Sequence, residues 1–166
     1  AFLQATRDGE AMLQNAIAEI AGPARQIVDL FAGCGTLSLP MLDNITNLLA
    51  VEQNEDALAA LKFGVDAAGI GGRVKTVSRN LFDAPLMPDE LEGFDMAILD
   101  PPRSGAAAQC QMLAQSSIAT IAMVSCNPAS FARDAAILTE SGFQLEWVQV
   151  IDQFSFSNHL EMIGAF

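Results

Sequence analysis

Residues 26–36 read Gln-Ile-Val-Asp-Leu-Phe-Ala-Gly-Cys-Gly-Thr, a short apolar run that ends in a glycine-rich turn. Compact apolar runs with little polar alternation are typical of strands that are buried on both faces of a parallel sheet. Glycines at positions 33 and 35 allow a tight turn and let backbone N–H groups come close to a ligand. This stretch therefore predicts the first strand and a ligand-binding turn of an α/β domain.

Further apolar runs alternate with stretches of helical spacing along the rest of the chain. We predict a leading helix over 8–20 with Asp8 as its N-cap, and helices over 55–68, 106–115 and 128–140. The predicted strands after the first cover 47–52, 73–78, 94–99, 118–124, 143–151 and 159–166. Strands separated by helices form a parallel sheet with helices on both faces. The last two strands have no helix between them, so we expect an antiparallel ribbon at the sheet edge.

Composition limits the kinds of protein to consider. The chain has 166 residues, of which 51% are hydrophobic and 17% charged, which fits one domain with its own core rather than a disordered segment. Its net charge of −12 argues against this chain alone gripping a nucleic-acid backbone. There is no apolar run near the roughly 20 residues that span a bilayer. Three cysteines without metal-type spacing favour a cytoplasmic protein with no metal site. Because the chain starts at Ala1, we expect a domain cut from a longer protein.

Polar residues end the first three predicted strands. Asp29 precedes the glycines, Glu52 ends the second strand and Asn80 follows the third. Ligands of open α/β sheets bind outside the carboxyl ends of strands, and a carboxylate at the Glu52 position can accept hydrogen bonds from ribose hydroxyls. Ser38 stands where a dinucleotide fingerprint has its third glycine. The pattern therefore favours S-adenosylmethionine over a pyrophosphate-containing cofactor; the alternative is a solvated strand end and a helix cap.

Two further segments end the fourth and fifth predicted strands. They are Asp100-Pro-Pro-Arg103 and Ser125-Cys-Asn-Pro128. Cys126 stands just before a predicted helix start, where a helix N-terminus lowers a thiol pKa and favours the nucleophilic thiolate. A buried, inert thiol is the alternative. His159 and Glu161 share one face of the last strand and form an acid–base pair, a metal pair or a solvent face; with no other histidine in the chain, we do not predict a metal site.

The ordered set of motifs resembles the RNA 5-methyluridine methyltransferases, which methylate uracil C5 in tRNA or 23S rRNA. It comprises Phe2-Leu-Gln4, Asp29-Leu-Phe-Ala-Gly-Cys-Gly35, Asp100-Pro-Pro-Arg103, Ser125-Cys-Asn-Pro128 with Arg133-Asp134, and His159-x-Glu161. The resemblance covers essentially the whole chain as the C-terminal catalytic domain of that family. It implies a Rossmann-like class I methyltransferase fold, with a seven-stranded, mostly parallel sheet and an antiparallel terminal strand.

The resemblance also implies residue roles. Cys126 is the nucleophile that adds to uracil C6, Glu161 removes the C5 proton, and Asp100 holds the ring. The implied S-adenosylmethionine site comprises Gln4, Asp29, Phe31, Gly33, Gly35, Glu52, Asn80 and Asp100.

The chain departs from the family pattern at several points. Ser155 and Ser157 replace a usual Pro and Thr, and Asn80 replaces a common Asp. The family's N-terminal RNA-binding region and the iron–sulfur cysteine cluster of several members are absent. We therefore expect tRNA or rRNA to bind mainly through those absent domains.

Two other functions stay open at this point. One is an amino-group methyltransferase that acts on adenine or guanine and grips the nitrogen with a segment like Asp100-Pro-Pro-Arg103. The other is a non-catalytic S-adenosylmethionine-binding module. A paired Cys126 and Glu161 separates uracil methylation from amino-group methylation, because amino methylation needs neither covalent addition nor C5 deprotonation.

Overall fold

The computed structural model describes residues 7–42, 47–151 and 160–166. Its four helices are α1 (Arg7–Ala21), α2 (Glu55–Ala67), α3 (Ala107–Leu113) and α4 (Pro128–Glu140). The strands are β1 (Gln26–Leu30), β2 (Asn47–Glu52), β3 (Val74–Ser78), β4 (Met96–Leu99), β5 (Thr120–Ser125), β6 (Trp147–Ile151) and β7 (Glu161–Ala165). A short 3₁₀ turn covers Leu39–Met41.

All seven strands form one sheet in the order β3-β2-β1-β4-β5-β7-β6. Strands β1 to β5 are parallel, whereas β7 runs antiparallel to both β5 and β6. The predicted fold class and the antiparallel pairing of the last two strands are confirmed. β7 lies one position in from the edge, where it closes the gap between β5 and β6.

Two apolar layers cover the sheet. Leu13 and Ile17 of α1 and Leu61 of α2 pack on one face, together with Ile27 of β1. On the other face lie Cys110 and Leu113 of α3 and Leu138 of α4, together with Val28 of β1. Neighbouring residues of β1 thus serve opposite layers, as strand geometry requires. Burial on both faces explains why β4 and β7 are buried at every position.

Two boundaries differ from the sequence-based prediction for local reasons. Helix α1 begins at Arg7, so Asp8 is not its N-cap; the carboxylate lies in the first turn, where the helix dipole favours negative charge. The sixth strand begins at Trp147 rather than at residue 143. The N–H of Phe143 still donates to Leu138 at the end of α4, and sheet pairing resumes only where Glu146 N–H donates to Ala165.

The architecture brings several chain segments to one edge of the sheet. The carboxyl ends of β1, β2, β4 and β5 meet there, and antiparallel β7 begins there with Glu161. None of the helices in the described part of the chain is long and apolar enough to cross a membrane.

Gly164 of β7 tests the packing between the sheet and α4. A Cβ atom at this position would lie 2.7 Å from Cζ of Phe131 and 3.2 Å from Cε2 of Phe166, which are both buried rings. We expect Gly164→Ala to lower the free energy of unfolding by about 1–3 kcal/mol through overpacking. Urea denaturation followed by circular dichroism measures the change.

The matched control is Gly64→Ala, because Gly64 is exposed within α2 and a Cβ there meets nothing within 4 Å. Alanine should stabilise that helix by about 0.5–1 kcal/mol. Changes of the same sign at both glycines would contradict the packing described here.

Candidate active site

A cavity of about 430 Å³ opens at the carboxyl edge of the sheet. Its walls come from the segments that follow β1, β2, β4 and β5 and from the first residue of β7. Seven of the predicted site residues line it together: Asp29, Phe31, Gly33, Glu52, Asp100, Cys126 and Glu161. The structure thus brings these seven residues together, and their roles stay predictions.

The turn after β1 is fixed by Glu52 at the end of β2. One carboxylate oxygen of Glu52 accepts a hydrogen bond from Gly33 N–H at 2.9 Å, and the other accepts from Asn54 N–H at 2.7 Å. Phe31 has a φ of 65°, which is costly for a residue with a side chain, and Gly33 has a φ of 55°. The carboxylate thus holds a strained loop open toward the cavity.

Two predicted cofactor residues do not line the cavity. Gly35 packs inward, since a Cβ on it would lie 2.8 Å from Cγ of Leu39. The carboxamide of Asn80 closes the turn after β3 by accepting from Phe82 N–H at 3.0 Å and donating to Asp83 at 2.6 Å. The role of Asn80 in the S-adenosylmethionine site stays a prediction. Gln4 and His159 lie outside the described residues.

Buried carboxyl groups dominate the electrostatics of the cleft. Burial raises the pKa of Asp29 to about 7, and nearby Glu52 adds to the rise, while the Ser38 hydroxyl moderates it. Oδ2 of Asp29 makes no well-formed hydrogen bond with the described part of the chain. Burial also raises the pKa of Asp100 to about 8, with further contributions from Glu161 and Asp29. This end of the cleft is therefore suited to a cationic group.

Cys126 lies beside this carboxyl cluster. The register that pairs Ser125 of β5 with Met162 of β7 brings the next residues, Cys126 and Glu161, to the same edge. The prediction of a lowered thiol pKa is wrong. Burial raises the pKa of Cys126, the Glu161 and Asp100 carboxyls add to the rise, and only Arg103 and a backbone hydrogen bond oppose it.

Several lining residues were not singled out from the sequence. Gln53 and Asn54 directly follow Glu52 at the end of β2, and position alone could have placed them in the cleft. Arg103, the cationic side chain among the described lining residues, was quoted in a motif without a role. No group of three His, Cys, Asp or Glu within the described ranges is placed to hold a metal ion.

The strand order and the cleft at the carboxyl edge define a class I methyltransferase fold. The Pyrococcus abyssi tRNA (uracil-54, C5)-methyltransferase, solved in complex with S-adenosyl-L-homocysteine, has this fold. It superposes with a TM-score of 0.85 at 23% identity, over 99% of this chain and 40% of that one.

Sequence comparison narrows the class to a family. The tRNA (uracil-5-)-methyltransferase family model matches residues 87–165. An uncharacterized RNA methyltransferase of Zymomonas mobilis is 46% identical over 100% of this chain. The 23S rRNA (uracil(1939)-C(5))-methyltransferase of Chromohalobacter salexigens is 33% identical over 96% of it. These matches confirm the resemblance of the chain to the RNA uracil-C5 methyltransferases. The chain spans 41% and 33% of the length of these two relatives.

The raised pKa of Asp29 predicts a pH-dependent stability. Its pKa is about 7 in the folded chain against 3.8 for the free side chain. The contribution to stability is therefore complete below about pH 4 and is lost as the pH rises toward about 7. The variant Asp29→Asn cannot lose this proton. Its free energy of unfolding, minus that of the unsubstituted chain, should therefore be about 1–3 kcal/mol larger at pH 8 than at pH 4. Melting temperatures of the variant and the unsubstituted chain across this pH range measure the effect.

Glu55→Gln is the control, because it removes an exposed carboxyl from the first turn of α2. Its stability difference should show no comparable pH dependence. An Asp29→Asn difference that is equal at both pH values would exclude a buried, protonated Asp29.

Proposed function

We propose that this chain is the catalytic domain of an S-adenosylmethionine-dependent methyltransferase that acts on uracil C5 in RNA through a covalent Cys126 adduct. The observation that carries the proposal is the shared cavity of Cys126 and Glu161, with Asp100 beside them. A thiol on the residue after β5 and a carboxyl group on the first residue of β7 can provide the nucleophile and the base that methylation of an unactivated ring carbon needs.

The cleft has the chemistry to hold S-adenosylmethionine. Two of the acceptor sites of the Glu52 carboxylate are used by Gly33 and Asn54, which leaves others for ribose hydroxyls. The unsatisfied oxygen of buried Asp29 offers negative charge to the sulfonium or ammonium group. A volume of about 430 Å³ is within the usual range of small-molecule sites. Bound S-adenosylmethionine supplies the electrophilic methyl group.

The residues of this chain prepare the uracil ring for that transfer. Addition of the Cys126 thiolate to C6 places electron density on C5, which is otherwise a poor nucleophile. The positive charge of Arg103 favours the thiolate, against the burial that keeps the proton on sulfur. Proton loss from Cys126 is therefore expected to accompany substrate entry rather than precede it.

Two carboxyl groups complete the chemistry. Glu161 takes the proton from C5 after methylation, and elimination then breaks the C6–sulfur bond and restores the thiolate. Asp100, with a pKa of about 8, keeps its proton at neutral pH and can donate a hydrogen bond to a uracil carbonyl oxygen. The different environments of the two groups thus suit a base and a hydrogen-bond donor.

RNA is the proposed partner, and most of its binding energy is expected to come from outside this chain. The net charge of −12 and the acidic cleft repel a phosphate backbone. A uridine that enters a cleft of this size has to leave its base stack, which costs a few kcal/mol and favours a loop or an unpaired position. Because the chain spans only part of its relatives, the choice of RNA belongs to the complete protein.

Covalent trapping tests the proposed nucleophile. RNA that contains 5-fluorouridine cannot lose its C5 substituent as a proton, so the complete gene product should accumulate an adduct that survives denaturation. Cys126→Ala should abolish this adduct, whereas Cys34→Ala should keep it although Cys34 also lines the cleft. Denaturing electrophoresis with radiolabelled RNA measures both.

An undiminished adduct with Cys126→Ala would refute the nucleophile assignment. Methyl transfer to adenine or guanine that survives this substitution would instead support an amino-group methyltransferase. If the unsubstituted protein transfers a methyl group to no base, the result would support a non-catalytic S-adenosylmethionine-binding module.

Glu52 tests the cofactor site. We expect Glu52→Ala to weaken S-adenosylmethionine binding by about 1–3 kcal/mol, because hydrogen bonds to a charged acceptor are lost. Isothermal titration calorimetry measures the affinity. Asp56→Ala removes an exposed carboxyl of α2 that does not line the cavity and should leave the affinity unchanged. If Glu52→Ala and the unsubstituted protein bind S-adenosylmethionine with equal affinity, Glu52 does not bind the cofactor.

A further inference from the structure

The segment that follows Asp100-Pro-Pro is held from outside by helix α4. Nδ2 of Asn127 donates to the carbonyl oxygen of Arg103 at 2.9 Å, and Nη2 of Arg133 donates to the carbonyl oxygen of Ser104 at 2.9 Å. Oδ2 of Asp134 accepts from Ala106 N–H at 2.6 Å. The N-cap side chain of α4 and two side chains from the middle of the helix thus bind the backbone of the 103–106 segment.

Arg133 and Asp134 form a single unit in this contact. Oδ1 of Asp134 accepts from Nε and Nη2 of Arg133 at 2.9 and 2.6 Å. Asp134 is 1% exposed, while the side chain of Arg133 is 49% exposed. A buried carboxylate is costly unless it is paired and hydrogen-bonded, and here its two oxygens receive three donors from Arg133 and Ala106. Such a pair is rigid enough to determine where the segment lies.

Gly105 shows how closely the pair and the segment fit. Its φ is 76°, and a Cβ there would lie 2.3 Å from Nη2 of Arg133 and 2.4 Å from Oδ2 of Asp134. The segment also turns on itself, since Gly105 N–H donates to the carbonyl oxygen of Pro102 at 2.8 Å. There is no room at this position for any side chain without displacing the ion pair.

The N-terminus of α4 directly follows the residue that carries the thiol. Cys126 directly precedes Asn127, the N-cap of α4, whose backbone N–H donates to the Ser125 hydroxyl. Helix α4 therefore connects the loop that carries Cys126 with the loop that carries Asp100 and Arg103. Arg103, in the segment that these contacts hold, lines the same cavity as Cys126.

We propose that Arg133 and Asp134 are positioning residues, whose ion pair against Gly105 holds the 103–106 segment so that Arg103 and Asp100 stay beside Cys126. The importance of this ion pair for methyl transfer rests on the proposed function. Its effect on the reactivity of the Cys126 thiol does not. If the segment moves, the thiol loses the nearby positive charge that opposes its burial. Its reactivity then becomes a direct measure of the segment's position.

The test is site-resolved alkylation of Cys126 by iodoacetamide across a pH series, read by mass spectrometry on the complete gene product. With Arg133→Gln or Gly105→Ala, the midpoint of the Cys126 reaction should move to higher pH. Arg133→Lys keeps the charge but cannot reach both Asp134 and Ser104, so its midpoint should lie in between. Adduct formation with 5-fluorouridine RNA should slow about 10- to 100-fold, while the S-adenosylmethionine dissociation constant stays within about twofold.

Glu90→Gln is the matched control. It weakens the Arg79–Glu90 ion pair, which is also 2.6 Å long and also holds a loop, but lies outside the lining of the cleft. Its midpoint and adduct rate should be unchanged. Asp134→Asn provides a second way to weaken the proposed pair if Gly105→Ala does not fold.

Unshifted Cys126 midpoints in folded Arg133→Gln and Asp134→Asn would overturn the proposal. So would losses of adduct rate and cofactor affinity in equal proportion, since that result indicates general destabilisation. Failure of the proposed function is recognised separately, by adduct formation that survives Cys126→Ala.

Discussion

The candidate site depends on the direction of one strand. Because β7 runs against β5, its first residue lies at the edge where the parallel strands end. Glu161 thereby reaches the cavity that also holds Cys126 and Asp100, although 35 residues separate it from the thiol in the chain (161 − 126). A parallel last strand would present its other end at this edge and leave the thiol without a facing carboxyl group.

The same convergence makes the empty cleft electrostatically unfavourable. Asp29 and Asp100 are both buried, which raises the pKa of each carboxyl group. Neighbouring carboxyl groups raise both pKa values further. At neutral pH Asp100 holds its proton, whereas Asp29, with a pKa of about 7, is partly protonated and would lose its proton to a cationic ligand. The buried carboxyl groups lower the stability of the free chain, and a bound sulfonium or ammonium group would relieve that cost. Sites that bind ligands are often destabilising in this way.

Sequence reasoning succeeded where local pattern and strand direction decide the outcome. The apolar runs at 26–30 and 47–52 gave the strands, and the rule that ligands bind at carboxyl strand ends placed Glu52 and Asp100 in one cleft. The prediction of a lowered Cys126 pKa was wrong, because burial and two carboxyl groups that are distant in sequence outweigh Arg103 and the backbone hydrogen bond.

Other features depend on contacts that no pattern contains. The hydrogen bonds of Asn80 within its own turn, and the inward packing of Gly35 against Leu39, follow from side-chain geometry. Arg133 and Asp134 were visible as a motif, but their fit around Gly105 required the fold to bring residues about 28 positions apart into contact. The sequence motifs therefore identified candidate site residues, and the tertiary structure showed which of these residues contact each other.

The proposed chemistry requires the cofactor and the uracil to share the cleft between Cys126 and Glu161. A crystal structure of the complex with S-adenosylmethionine tests this most directly. We expect ribose hydroxyls on Glu52 and a methyl carbon directed into the space between the thiol of Cys126 and the carboxyl group of Glu161. A cofactor bound elsewhere, or a methyl group that faces away from both side chains, would contradict it.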